Sequence, residues 1–585
     1  MDDGDGSRLR WIGPLTVPEQ SLIERAAQGE ALALPTGAAP TEDQTPVELE
    51  EMQAWGADRT IRAEMLRHLL VESEWPVQAK GVRLRGARIS GPVDLESATL
   101  RCPLVLEDCY FDSERPLVLD YATVSLLRLV RCRFAGLTAD TVVVTKELDL
   151  ERSVVTGAVK LITADITGEL NCRGAKITGT DTDGNALVAN WVEVGGRVLL
   201  DEEFTAAGAI RLIGADITGE LNCRGAKITG TDINNNALVA DRVKVGGAVF
   251  LDGEFTAAGA VSLVGADITG DLTCGGAKIT DTDTDGNALI ANGFKVGGRV
   301  LLDGEFTAAG AVRLVGAVIT GNLICSGAKI TGTDTDGDAL VADRVKVGDS
   351  LLLDDGFLAC GAVRLVGAHI GGSITLDVAA IRDPSGKPGM LAIDGLVYEG
   401  LPSFPPPDEW LDVLRERTNE YSPQPYRQLA AASQAAGHDA FTRKVLIAQR
   451  RDQLSRTDMT WTEKTWGQIT HITLGYGYQP WRALIGLLGV VILSVILSVS
   501  YGAQGGLVHT ETSPSPGASC STLERVGVGL DFAIPVVRSG AGGTCAATQT
   551  VAGNTVTVSG WVLQLAAWSL ATLFIAGFTG AVRKT

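Results

Sequence analysis

Residues 164–179 read ADITGELNCRGAKITG; the stretch returns at 215–230, with changes at 266–281, and as AVITGNLICSGAKITG at 317–332. Its cysteine marks the register: Cys172, Cys223, Cys274 and Cys325 stand 51 residues apart. A worn copy, GAHIGGSITL, starts at Gly367, and an early cousin, GARISGPVDLESATL, starts at Gly86. The second half of the unit, ALVADRVKVGGAVFLDGEF at 237–255, has a counterpart at 137–154. A fixed period of this length signals stacked units that share one continuous core. The repeat region is expected to span 82–397.

Within a unit, large apolar residues come at five- or six-residue steps: Leu212, Ile217, Cys223, Ile228, then Val239, Val245 and Leu251. Small residues stand two before some of them, as Ala215 before Ile217 and Ala226 before Ile228. Side chains two apart share a face of a strand. Each short strand therefore turns one large and one small group inward, with a polar residue outward between them. Turns are expected at Gly214, Gly219, Gly225 and Gly230, since tight corners favour glycine. Four strands make a coil of about 22 residues, and two coils plus the loop at 231–236 fill the unit.

AlaAspIleThrGly at 215–219 and AlaLysIleThrGly at 226–230 resemble the tandem unit A-(D/N)-L-x-x of pentapeptide-repeat proteins. The resemblance implies a four-sided β-solenoid. The six-residue steps depart from that unit, so a left-handed hexapeptide helix stays open as the second reading of the coil.

Outward positions form columns: Lys176, Lys227, Lys278 and Lys329; Asp165, Asp216 and Asp267; Glu169, Glu220 and Asp271. They read as a solvated face or as an electrostatic ladder for a partner.

Residues 483–500, ALIGLLGVVILSVILSVS, carry no charge, and neither do residues 561–582, WVLQLAAWSLATLFIAGFTGAV. Each is long enough to cross a hydrocarbon layer of roughly 30 Å. Tyr478, Trp481, Tyr501 and Trp561 mark the ends as interfacial aromatics do. Arg482 precedes the first span, and Arg583 and Lys584 follow the second. The positive-inside rule then places both outer flanks in the cytoplasm and residues 502–560 outside. The expected localisation is the inner or plasma membrane, crossed twice, with most of the chain cytoplasmic. A buried helical hairpin in a soluble protein is the competing reading. Cys520 and Cys545 fall in the outer loop and are the candidate disulfide; helical spacing between them (Leu523, Val526, Leu530, Ile534) predicts a helix that lies on the membrane surface or, as the second reading, dips into it like a pore helix.

The expected organisation is an N-terminal helical cap (1–81), the solenoid (82–397), a Pro-rich linker (398–407), a cytoplasmic helical stalk (408–480), the first span (481–501), the outer loop (502–560), the second span (561–582) and a basic tail (583–585). The fold class is thus mainly β, with helical ends and two transmembrane helices. In the cap, ThrValProGlu at 16–19 supplies an N-cap and an early proline, and Ile61, Met65, Leu66 and Leu69 form one apolar stripe. The stalk predicts helices near 408–418, 425–436 and 439–455, the last two resembling a tetratricopeptide-like hairpin that turns at Gly437–His438. Met1–Gly6 is acidic and lacks an apolar core segment, so no signal peptide is expected.

Net charge is −20, which argues against nucleic acid as a partner. No G-x-G-x-x-G, C-x-x-C, H-E-x-x-H or Walker motif occurs, and the five histidines (His68, His369, His438, His471, His509) stand singly. No cofactor, metal or catalytic residue is therefore assigned, and enzymatic activity is left uncertain, leaning against. ThrAspThrAspGlyAsn at 180–185 and its copies at 282–287 and 333–338 look like the opening of a calcium loop, yet lack its twelfth-position Glu. Asx-turns account for them more simply.

The whole layout resembles a group of bacterial pentapeptide-repeat-like membrane proteins, some labelled "membrane-associated oxidoreductase". The residues support the first description and not the second. The expected function is a non-catalytic, membrane-anchored scaffold or protein-interaction module, with the bilayer and a protein as partners and self-association open. The alternatives are a small oligomeric channel-like assembly regulated by the solenoid, and an oxidoreductase by label only.

Overall fold

The computed structural model describes residues 13–34, 47–72, 76–402, 406–457, 460–511, 515–534 and 540–584. Met1–Gly6, residues 403–405 of the linker, the end of the outer-loop segment at 535–537 and Thr585 lie outside the described residues. The chain divides into two units, residues 1–428 and 429–585.

The first unit is a β-solenoid. Its strands stack in four sheets, two of 14 strands and two of 12, and every pairing along each stack is parallel. One coil runs through Leu170–Asn171 on the first face, Lys176–Ile177 on the second, Asn185–Val188 on the third and Glu193–Val194 on the fourth, then regains the first at Val198–Leu199. Leu170 pairs with Val198, 28 residues on, and Val198 with Leu221, 23 residues on. The 51-residue period is therefore one long coil and one short coil, the long one carrying the loop between its second and third faces.

The two coils differ in more than length. On the second face, inward Ala175 and Ile177 meet Phe204 and Ala206 of the next coil, which meet Ala226 and Ile228 of the one after. Small lies over large at one position and large over small at the other. The alternation continues through Phe255, Ala277, Phe306, Ala328 and Phe357, all buried. Interiors packed at crystal density need such size complementarity between layers. The phenylalanine column had no counterpart among the expected core residues: the apolar steps traced from Leu212 ended at Leu251, although Phe204, Phe255, Phe306 and Phe357 keep the 51-residue period.

Of the four expected turn glycines, Gly214 has φ +64°, a left-handed corner. Gly230 is required for a different reason: a Cβ there would lie 2.0 Å from the carbonyl oxygen of Ala207 in the preceding coil.

The loops at 180–185 and their copies are Asx-turns. Asp181 Oδ1 accepts from the amides of Asp183 and Asn185, and Asp232 accepts identically from Asn234 and Asn236. The all-Asn copy thus folds like the calcium-loop-like ones, because the leading aspartate does the work. In the fourth copy Asp338 stands where Asn185, Asn236 and Asn287 stand in the others. Burial, with Asp334, Asp336 and Asp343 nearby, pushes its carboxyl up to about 6 despite Arg364. A carboxyl raised on folding stabilises below its unfolded value, near 3.8, and that stability is lost as pH rises through about 6. Asp338→Asn is therefore expected to stabilise the solenoid at pH 7 by about 2 kcal/mol and to flatten its stability between pH 4 and 6. Denaturation of both proteins across that range checks it.

The cap is not purely helical, as the sequence had suggested. After α1 (Val17–Gln28), Leu32–Ala33 pairs with Leu84–Arg85 and extends the first face. Thr60–Arg62 pairs with Arg88–Ser90 and extends the second, just before α2 (Ala63–Val71). The first coil's unpaired amides and carbonyls need partners, and strands supply them. Ile61, Met65, Leu66 and Leu69 are buried as their stripe predicts.

The far end is closed by α3 (Pro407–Glu416) and the start of α4 (Pro423–Ala435). The Gln424 side-chain amide donates to the Leu396 carbonyl and its oxygen accepts from Gly395 N–H, while Gln428 donates to the Tyr398 carbonyl. Residues assigned to a stalk thus terminate two faces of the solenoid, with Trp410 and Tyr426 buried beneath them.

The second unit contains α5 (Asp439–Arg456), α6 (Trp461–Leu474), α7 (Trp481–Tyr501), α8 (Thr522–Ala533) and α9 (Val551–Lys584). Among the described residues two helical segments are long and apolar enough to cross a membrane, Trp481–Gly506, which begins with α7, and Val551–Ala576 within α9, with mean hydropathy 2.7 and 1.6. α9 starts ten residues before the expected span. α6 had no counterpart in the sequence reading.

Candidate functional site

The three expected charge columns behave differently once the intervening coils are in place. On the fourth face Asp165, Glu193, Asp216, Lys244, Asp267 and Lys295 follow one another in register. From Asp216 onward the acidic column is thus interleaved with lysines, and Lys244 Nζ lies 3.7 Å from Asp216 Oδ2. The corner column is also compensated: Arg197 pairs with Glu169 at 2.7 Å, and Arg299 with Asp271 at 2.9 Å. The arginines come from the alternate coils, which the 51-residue register did not sample.

The second face differs. Lys176, Lys227, Lys278 and Lys329 are exposed and alternate with Thr205, Thr256 and Thr307. Among the described residues no carboxylate lies within 4.0 Å of any of the four ammonium groups. Two coils separate successive lysines, about 10 Å, near the screening length at physiological salt, so the row persists without internal counterions. It is a straight cationic column on a flat face of a strongly acidic chain.

Inside the solenoid the register cysteines face the core. Burial pushes the thiols of Cys172, Cys223 and Cys325 up to about 12 and raises Cys274 likewise. They are expected to resist alkylation in the folded protein, since the thiolate is the nucleophile. Labelling at the unfolded-chain rate would contradict the inward column.

In the second unit Cys520 and Cys545 are joined, with Cα atoms 6.4 Å apart, and pack against Leu507, Val528 and Val556. Beside them His509 Nε2 lies 3.0 Å from Glu524 Oε2. The His509 and Ser521 hydrogen bonds hold the Glu524 carboxyl down to about 2. His509 had read as an isolated histidine. The capping box Ser521-x-x-Glu524 fixes where Glu524 stands, and nothing local in the sequence brings His509 to it. With the sulfurs bonded to each other, the cluster offers one imidazole and one carboxylate, short of a zinc donor set. Cys520→Ser is expected to cost the loop about 3 kcal/mol of local stability in the chain-entropy account. Faster amide exchange at 507–547 and loss of a linked 520–545 peptide would register it.

α8 does not lie apart from the apolar helices, as a surface helix would. It packs along α7 and α9, where a Cβ on Gly529 would lie 2.7 Å from Val495 Cα. Ser494 Oγ donates to the Gly529 carbonyl at 2.7 Å. Glycine and a buried hydroxyl are the means by which helices approach closely in apolar surroundings.

Comparison with protein-family models, with curated proteins and with solved structures finds no match to this chain.

Proposed function

We propose that this chain is a non-catalytic scaffold anchored in a cell's inner or plasma membrane, whose pentapeptide-like β-solenoid docks a protein partner in the cytoplasm. The observation that carries the reading is the uncompensated lysine column of the second face. In a chain of net charge −20, cations from alternate coils pair with Asp216, Glu169 and Asp271 of the other two columns, whereas among the described residues no carboxylate pairs with this one. A flat cationic row favours a partner with an acidic surface, through steering and register rather than a deep pocket.

The anchor is supported by exposure. Only 17% of the apolar window of α7 and 11% of that of α9 is buried, whereas a core hairpin of a soluble protein would be mostly covered. α6 adds Trp461, Trp466, Ile469 and Ile472, all exposed on one side of a helix that directly precedes the first span. Basic residues outside both spans favour cytoplasmic termini.

Two measurements test the reading. Reporter fusions at residue 5 and residue 585 are expected to read cytoplasmic; either one outside overturns the topology. A photo-crosslinker at Thr256 is expected to capture one acidic protein in intact cells. Changing Lys227 and Lys278 to Glu is expected to abolish the adduct, and the same group at Glu193 to capture none. Equal capture from both faces would overturn the docking surface. A flavin or haem band retained through purification would overturn the non-catalytic reading.

A further inference from the structure

We propose that the second unit holds one anionic glycerophospholipid in a cavity beside the first apolar helix. The proposal rests on the membrane anchoring argued above. The cavity is about 1060 Å³, walled by the first half of α5, the α6–α7 connection, the start of α7 and the end of α9. That volume is at the upper end of ordinary small-ligand sites, which run to roughly 1,000 Å³.

Its lining has two chemistries. Arg443 and Arg482 contribute two guanidinium cations against a single lining carboxylate, Asp439, and Lys444 lines the same wall. Arg443 Nε donates to the Asp439 carbonyl at 3.3 Å, and Arg482 Nη1 to the His471 carbonyl at 3.4 Å. Among the described residues neither guanidinium lies within 4.0 Å of a carboxylate, so backbone dipoles orient both charges without cancelling them. A guanidinium fork matches phosphate oxygens in geometry and in charge. Beyond the polar groups of the α5 and α6–α7 segments, the wall has an apolar side: Leu484 from α7, and Phe574 and Phe578, one turn apart on α9.

The order of these groups selects the occupant. Arg482 precedes the apolar run of α7, and Leu484 is already inside it, so the cationic end sits at the boundary and the apolar end beneath it. A soluble organic phosphate would satisfy the guanidinium groups and leave the phenylalanine wall against water. A phospholipid satisfies both, its phosphate against Arg443 and Arg482 and its acyl carbons against Leu484, Phe574 and Phe578. The exposed apolar side of α6, whose His471 also lines the cavity, would bring the same leaflet alongside. The charge balance favours a headgroup with net negative charge over a zwitterionic one.

The full-length chain, reconstituted in nanodiscs of phosphatidylcholine with a minor fraction of phosphatidylglycerol, tests this by native mass spectrometry of retained lipid. One phosphatidylglycerol per chain is expected, enriched over the bulk ratio by at least about fivefold, the size of effect one basic side chain has at an anionic bilayer surface. Arg443→Glu with Lys444→Glu is expected to return the ratio to bulk, while Arg450→Glu with Arg451→Glu, on the same helix and outside the cavity, is expected to keep it. Glycerol 3-phosphate is expected not to displace the lipid; displacement would make the occupant a soluble phosphate and overturn the proposal. A chain that enters nanodiscs without enrichment, or a cavity variant that keeps it, overturns this site alone. A chain that stays out of nanodiscs overturns the membrane anchoring and this site with it.

Discussion

Phe255→Ala is expected to destabilise the middle of the solenoid by about 3–5 kcal/mol. The ring is fully buried and sits between the coils of Ala226 and Ala277, whose side chains are small because the ring is there. Those alanines belong to backbones fixed by their own ladders, so the space cannot collapse. Stability in a stacked array is a sum of near-neighbour terms, so the loss is local. Amide exchange in the full-length chain is expected to accelerate by roughly two orders of magnitude or more across 221–300 and little near 82–130. Adding Ala226→Phe restores the apolar volume but not the stability, because the new ring falls between Phe204 and the coil of residue 255. Rescue by that second change would show that hydrophobic content, rather than layered size, decides the core.

Arg62→Ala is expected to cost a similar amount, about 3–5 kcal/mol, at the N-terminal end. Glu19 is completely buried. Its Oε1 accepts from Arg62 N–H at 3.2 Å and Nε at 2.7 Å, and its Oε2 from Arg62 Nη2 at 2.7 Å and Thr16 N–H at 2.9 Å. One pair thus joins α1 to the strand that opens the second face. Burial alone would push the Glu19 carboxyl up, but hydrogen bonds from Arg62 and Thr16 outweigh it and hold it below its ordinary value near 4.5. That contribution is present above about pH 4.5 and lost as pH falls below it. Removing the guanidinium strands the carboxylate in an apolar site. Arg62→Lys is expected not to rescue, since an ammonium cannot reproduce the fork, whereas Arg62→Met with Glu19→Met recovers most of the loss. Exposed edges of the first two faces would appear as concentration-dependent aggregation. An unchanged unfolding midpoint for Arg62→Ala would show that the pair carries no net stability.

The repeat was legible because Cys172 and its three copies fix a register and because Ala215-Asp216-Ile217 alternates as a strand does. The same register hid half the molecule. It compares every second coil, so Lys244, Arg197 and Phe204, which lie on alternate coils, never entered the columns they neutralise or fill. The cap strands were illegible for another reason: Leu32–Ala33 and Thr60–Arg62 are too short to show a period, and they are strands only because an open edge lies beside them. The apolar runs inside α7 and α9 followed from hydropathy, though not the ten residues by which α9 starts early, and the convergence of His509 on Glu524 depends on a chain reversal that no local pattern encodes. The lysine column was readable from sequence; that it lacks counterions was not, since that depends on what stands one coil above and below.

The pairing of an Ala–Ile coil with a Phe–Ala coil gives the solenoid a parity. Within the 51-residue repeats an insertion or excision that preserves packing must contain an even number of coils, because an odd one sets like on like: Phe on Phe and Ala on Ala, or Ala on Ala and Ile on Ile. The repeat region can lengthen or shorten only in steps of 51 residues, about 10 Å of axial reach each. Removing 215–265, one whole period, leaves every junction of the same kind as before; removing the short coil alone leaves a fault that no loop adjustment repairs. The distance between the two caps is thus a discrete variable, set by how many periods the chain contains.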